Sequence, residues 1–147
     1  MEVQVIIQFN VANAETSNWL KEVFSEEPPL FEDEVPNKYR DMFLALEDLD
    51  EPDKATFHRK TRVELSWLMG ASWYEEVLDI CSAISQAGFG SIVGYFWADE
   101  DEGLFRYTNK LEPIDNWHLL LRKNNIDKSY DSFRWVRRLF TVIEKQK

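Results

Sequence analysis

Residues able to do chemistry are few in this 147-residue chain, and none falls into a spacing that chemistry requires. The two histidines, His58 and His118, lie in separate segments, and the one cysteine is Cys81. The chain has no His-Glu-x-x-His, Cys-x-x-Cys or acidic calcium-loop pattern, so no metal ligand is expected. Cys81 shares a helical stripe with Trp73, Val77 and Ile84, and a thiol buried among apolar groups is inert. No serine stands in a Gly-x-Ser-x-Gly elbow. Gly88-Phe89-Gly90-Ser91 ends an apolar helical run instead of opening one, which makes it a helix stop and not a phosphate loop. Carboxylates are so numerous that no pair stands out for general acid–base work. The expectation is no catalytic residue, no metal and no cofactor. A catalytic alternative, a small hydrolase, would need His58 to meet a carboxylate in a concave pocket. A ligand-binding regulatory module would need Trp67, Trp73, Tyr95 and Trp97 exposed together as a stacking platform.

What stands above this background is charge. The net charge is −10, and residues 1–53 hold 14 acids against 3 bases. Residues 54–110 hold 8 acids against 6 bases, and residues 111–147 hold 5 against 8. That balance disfavours direct nucleic-acid binding through a broad basic face. Arg134, Arg138 and Lys145 are explained in part by the dipole of a C-terminal helix. The densest acidic run holds Glu22, Glu26, Glu27, Glu32, Asp33, Glu34, Asp41, Glu47, Asp48, Asp50, Glu51 and Asp53. Such acids keep a chain dispersed in water. Gathered on one surface, they also speed association with a basic partner and select for it. Leu30, Phe31 and Tyr39 interleave with them, in the anchor-and-rim composition of an interface. Asp99, Glu100, Asp101 and Glu102, at a hairpin tip, extend the set. Together these residues are the candidate partner-binding site.

The elements that must position them are legible from periodicity. Residues 3–12 are dense in β-branched side chains and read as a central strand buried on both faces. A short helix over 17–24, capped by Thr16 or Ser17, turns Trp19, Leu20, Val23 and Phe24 inward. Prolines break regularity through 25–36, and 37–49 is helical with Tyr39, Met42, Phe43, Leu46 and Leu49 on one side. Residues 25–53 therefore read as an acidic insertion before the second strand. Residues 61–69 alternate Val63, Leu65 and Trp67 with Arg62, Glu64 and Ser66, which predicts a strand. A helix over 71–87 follows, with Ser72 and Glu75 at capping-box spacing and Gly88 as its left-handed stop. Residues 91–97 and 104–108 read as a hairpin across Ala98-Asp99-Glu100-Asp101-Glu102-Gly103, with Gly103 free to take positive φ. Helices over 116–124 and 129–147 complete the chain.

The residues Leu65-Ser66-Trp67-Leu68-Met69-Gly70-Ala71-Ser72-Trp73 and the run 94–105 from Gly94 to Phe105 resemble a known arrangement. Strand, tryptophan turn, helix, and an aromatic strand running into an acidic-glycine hairpin are similar to the C-terminal half of a ferredoxin-like domain. That domain occurs in small phage- and plasmid-encoded proteins. The resemblance covers about a third of the chain, and Tyr74-Glu75 stands where that family has Pro-Pro. It implies an α+β fold: a single domain over 1–147, with about four strands in a ferredoxin-like sheet. Helices are expected on one face, with the C-terminal helices as additions. No leader-like segment opens the chain and no apolar run approaches about 18 residues, so a cytoplasmic protein without membrane contact is expected. The function expected is a small acidic binding protein that inhibits a basic partner. That partner would be a nuclease toxin or another nucleic-acid-binding effector, met by an immunity protein or a phage anti-defence inhibitor of the anti-CRISPR type.

Overall fold

The first strand, β1 (Val3–Asn10), lies third in a six-stranded antiparallel sheet of order β2-β3-β1-β4-β5-β6. A computed structural model describes residues 2–25, 34–47, 51–129 and 132–145. In chain order the other strands are β2 (Lys54–His58), β3 (Arg62–Met69), β4 (Ile92–Trp97), β5 (Glu102–Tyr107) and β6 (Leu111–Pro113). The helices are α1 (Ala14–Val23), α2 (Arg40–Leu46), α3 (Trp73–Gln86), α4 (Trp117–Lys123) and α5 (Arg134–Lys145). The fold is α+β. None of the described helices is long and apolar enough to cross a membrane.

Strand alternation sends β1 into two cores at once. Val3, Val5, Ile7 and Phe9 join Val63, Leu65, Trp67 and Met69 of β3 beneath α1, α2 and α3. Ile6 faces the other way, with Val93, Tyr95 and Leu104, beneath Leu120 and Leu121 of α4 and Trp135, Val136, Leu139, Phe140 and Ile143 of α5. Helices therefore cover both faces of the sheet, not one. The C-terminal helices are half of the layering, because Tyr95 and Leu104 need their own apolar cover.

Two strands escape the periodicity. Lys54–His58 pairs with β3 in register Lys54↔Ser66 through His58↔Arg62. Its turn uses Arg59 at φ 49° and Lys60 at φ 69°, left-handed positions that usually recruit glycine or asparagine. With no turn residue to mark it, this hairpin is silent in the sequence. The three-residue β6, on the far edge, is too short to show alternation. Among the described residues six strands stand where about four were expected. The described part of the acidic insertion also packs inward: Val35, Tyr39, Phe43 and Leu46 belong to the first core.

The helix caps differ from the sequence reading. Asn13, not Thr16 or Ser17, caps α1: its Oδ1 accepts from the Thr16 amide at 2.9 Å and the Thr16 hydroxyl at 3.0 Å. Asparagine outranks threonine at this position, and the helix starts earlier as a result. Ser72 is the N-cap of α3 but makes no capping bond; its hydroxyl instead lies 3.4 Å from Glu76 Oε1. Gly88 does take the left-handed conformation, at φ 93°. Gly103 does not. It sits inside β5 opposite Phe96, just as Gly94 sits in β4 opposite Phe105. Each glycine leaves room for the phenylalanine ring across from it. A Cβ on Gly94 would stand 2.0 Å from the Phe105 ring, and Phe105 is buried. Gly94→Ala should therefore lower stability by about 2–3 kcal/mol through overpacking. Gly90→Ala, with nothing within 4 Å, should leave it nearly unchanged. Urea midpoints of the two variants check this.

Candidate partner interface

Acids gather at one end of the sheet, with the exposed Lys54 at the start of β2 among them. Leu68, Gln4, Trp97 and Glu102 form one row across β3, β1, β4 and β5. Just beyond that row the chain exposes Glu2 before β1, Glu51 and Asp53 before β2, and Asp99, Glu100 and Asp101 at the β4–β5 tip. Helix α3 starts at the same end, since it follows β3 through a turn closed by Trp73 N–H donating to the Gly70 carbonyl. Glu75 and Glu76 sit in its first turn, where carboxylates also meet the positive end of the helix dipole. From Asp53 to Asp101 the row spans four strand spacings, about 19 Å. The opposite end of the sheet carries Arg59 and Lys60 in the β2–β3 turn and Lys110 in the β5–β6 turn.

The fold thus assembles acids from residues 2, 51–53, 75–76 and 99–101. Sequence spacing tied only 51–53 and 99–101 to the candidate site. Glu2, Glu75 and Glu76 were missed; the usable signal for the last two was their place at a helix start, where Glu75 was read as a capping residue alone. Asp53 has a structural role too, its carboxylate accepting from the Leu68 amide at 2.6 Å.

The remaining sequence candidates divide. Glu22, Glu34, Asp41 and Glu47 are exposed. Glu26, Glu27, Leu30, Phe31, Glu32, Asp33, Asp48 and Asp50 lie outside the described residues. Tyr39 is not a surface anchor: it is buried and stacked on Trp19, with ring centroids 4.8 Å apart. Glu102 is drawn inward. It accepts from the Tyr95 hydroxyl at 2.6 Å and pairs with Lys128, whose ammonium lies 5.1 Å from the Trp117 ring centre. Burial pushes the Glu102 carboxyl up, but hydrogen bonds from Lys128 and Tyr95, then the Lys128 and His118 charges, outweigh it and hold it below its ordinary range.

A second polar cluster lies on the α5 face of β1, β2 and β3. Glu64 is 6% exposed, and its two oxygens accept from Arg137 at 2.7 and 3.0 Å. The Glu64 hydrogen bonds raise the Arg137 pKa. His58 Nε2 stands 3.9 Å from the same carboxylate. Beside them Glu144 accepts from Gln8 at 2.8 Å and from Arg62 at 3.4 Å. These contacts tie α5 to the polar half of the sheet.

The remaining chemical candidates resolve into packing. Cys81 is buried, and burial pushes its thiol up to about 12. Among the described residues no group of His, Cys, Asp and Glu could hold a metal ion. Trp67 and Tyr95 are buried, while Trp73 and Trp97 belong to opposite faces, so the four form no common stacking platform.

No protein-family model, curated protein or solved structure matches the chain.

The depressed Glu102 pKa has a consequence for stability. Its contribution is fully present above the unfolded carboxyl value of about 4.3 and is lost as pH falls through the folded value. Glu102→Gln should cost about 1 kcal/mol at pH 7, and the gap from the unsubstituted protein should close as pH drops below about 4. Chemical denaturation across that pH range measures it.

Proposed function

We propose that the protein is a small acidic, non-enzymatic binder that occupies the basic surface of a nucleic-acid-handling partner and blocks it. The acidic sheet end is its docking face. The observation that carries this reading is the convergence of exposed carboxylates from four separate stretches at one end of the sheet, with the bases of two turns at the other. An array of this kind accelerates encounter with a cationic groove and rejects polyanions. Two settings suit it: an immunity protein against a nuclease toxin, or a phage-encoded anti-defence protein of the anti-CRISPR type. The likeness of residues 65–73 and 94–105 to small phage and plasmid proteins favours a mobile-element origin. The order β2-β3-β1-β4, with helical connections from β1 to β2 and from β3 to β4, is the split β-α-β connectivity of ferredoxin-like folds. That supports reading the first four strands as ferredoxin-like, with β5 and β6 as an extension.

The hydrolase alternative asks for His58 beside a carboxylate, and Glu64 stands there. Both Glu64 oxygens are already engaged by Arg137. We read the pair as a clamp on α5. The test of the binding reading is capture from a lysate of the source cells at low and high salt. A cationic nucleic-acid-binding protein should be retained and then released as salt rises, because screening shortens the reach of surface charge. Added back, the acidic protein should block that partner's nucleic-acid binding. Retention of no basic protein, or retention indifferent to salt, contradicts the reading.

A further inference from the structure

Beside the acidic sheet end lies a small aromatic groove. Trp73, Tyr74, Phe96, Leu111 and Pro113 line it, over the buried Leu104 and Phe105. Its volume is about 180 Å3. That is well under the ~300 Å3 at which small-molecule sites begin, and closer to the size of a single side chain. Trp73 leans on Phe96 with ring centroids 4.6 Å apart, and Tyr74 meets Trp73 edge-on at 5.8 Å and 87°. Tyr74 itself is 49% exposed, and it is the one aromatic among the exposed large hydrophobics of the described residues. Carboxylates stand at the same end of the sheet. Glu75 and Glu76 follow Tyr74 directly, and Asp99, Glu100 and Asp101 follow Phe96 beyond Trp97 and Ala98. An exposed aromatic ring at the acidic end of the sheet matches a cation with a flat apolar body.

We propose that this groove receives an arginine side chain from a basic segment of the partner protein. The guanidinium stacks on the exposed aromatic ring and faces the carboxylates of the acidic sheet end, while its stem lies along Leu111 and Pro113. Arginine suits the site better than lysine because its planar, weakly hydrated head stacks on aromatic rings. The groove thereby supplies the anchor that the buried Tyr39 does not. The inference rests on the basic-partner reading above and adds a specific contact to it.

The probe is a fluorescein-labelled peptide of alternating arginine and glycine, followed by anisotropy at about 50 mM salt, where surface charge is weakly screened. Two further peptides replace arginine by neutral citrulline or by leucine. Tyr74→Ala, at an exposed position, should weaken arginine-peptide binding about tenfold, as loss of a cation–π contact allows. Tyr74→Phe should bind within about twofold of the original protein, since the ring is kept. The citrulline and leucine peptides should not bind. If Tyr74→Ala binds as well as the original while Asp99→Asn/Asp101→Asn loses affinity, the groove is overturned and the basic-partner reading stands. If the leucine peptide binds as tightly as the arginine peptide, the occupant is apolar and the proposal is overturned. If the arginine peptide does not bind the unsubstituted protein at low salt, both readings fall.

Discussion

The burial of β1 on both faces is the constraint on which the rest of the structure depends. A strand with one wet face needs only one layer of helices. This strand places Val3, Val5, Ile7 and Phe9 in one core and Ile6 in another, so two layers are required. Burying a side chain of this size contributes roughly 1.5–3 kcal/mol, and β1 alone supplies several of them. It is also hydrogen-bonded on both edges, to β3 and β4. Every other element is placed by reference to it. Helices α1, α2 and α3 roof one side, and α4 and α5 roof the other.

The two sides are closed by different means. The first is mainly apolar, from Trp19 and Leu20 to Ile80, Cys81 and Ile84, with Thr16 and Ser17 of α1 also buried. The second is apolar over Ile6 of β1 and over β4 and β5, and Gln8 of β1 is buried on its polar side. Across β2 and β3 it offers Thr56, His58, Arg62, Glu64 and Ser66, and α5 answers with Arg137, Thr141 and Glu144. A carboxylate as buried as Glu64 needs compensation, and the two-point contact with Arg137 provides it. That leaves both faces committed to folding. What remains open to a partner is the perimeter of the sheet, and the strand ends are where its charges separate.

Residues 61–108 were legible because each of their signals is local. The alternation of Val63, Leu65 and Trp67, the stripe of α3 and the stop at Gly88 are set by spacing within a few residues. The role of Gly94 and Gly103 was not legible, since it depends on which ring lies across the strand pair. The strand at 54–58 was missed because Arg59 and Lys60 adopt left-handed φ without the residues that advertise it. The capping box failed where a local match to Ser72 and Glu75 met a backbone that formed no such bond. The candidate site was legible as composition but not as geometry. Counting acids along the chain pointed to its first third. Folding instead groups Glu2, Asp53, Glu75 and Asp101 from four stretches, and it buries Tyr39, which looked like an anchor between charges. Strand order and register decide that grouping, and neither is written in any one segment.

The central claim is that the acids at one end of the sheet act as a single surface for a cationic partner. The most direct measurement is amide chemical-shift mapping by NMR as a poly-lysine peptide is titrated into the labelled protein at low salt. The account predicts shifts concentrated at Glu2, Glu51, Asp53, Glu75, Glu76 and Asp99 to Asp101, with Arg59, Lys60 and Lys110 at the other end unmoved. Shifts spread evenly over the exposed acids, with Asp41, Glu47 and Asp79 moving as far as Asp53 and Asp101, would contradict it.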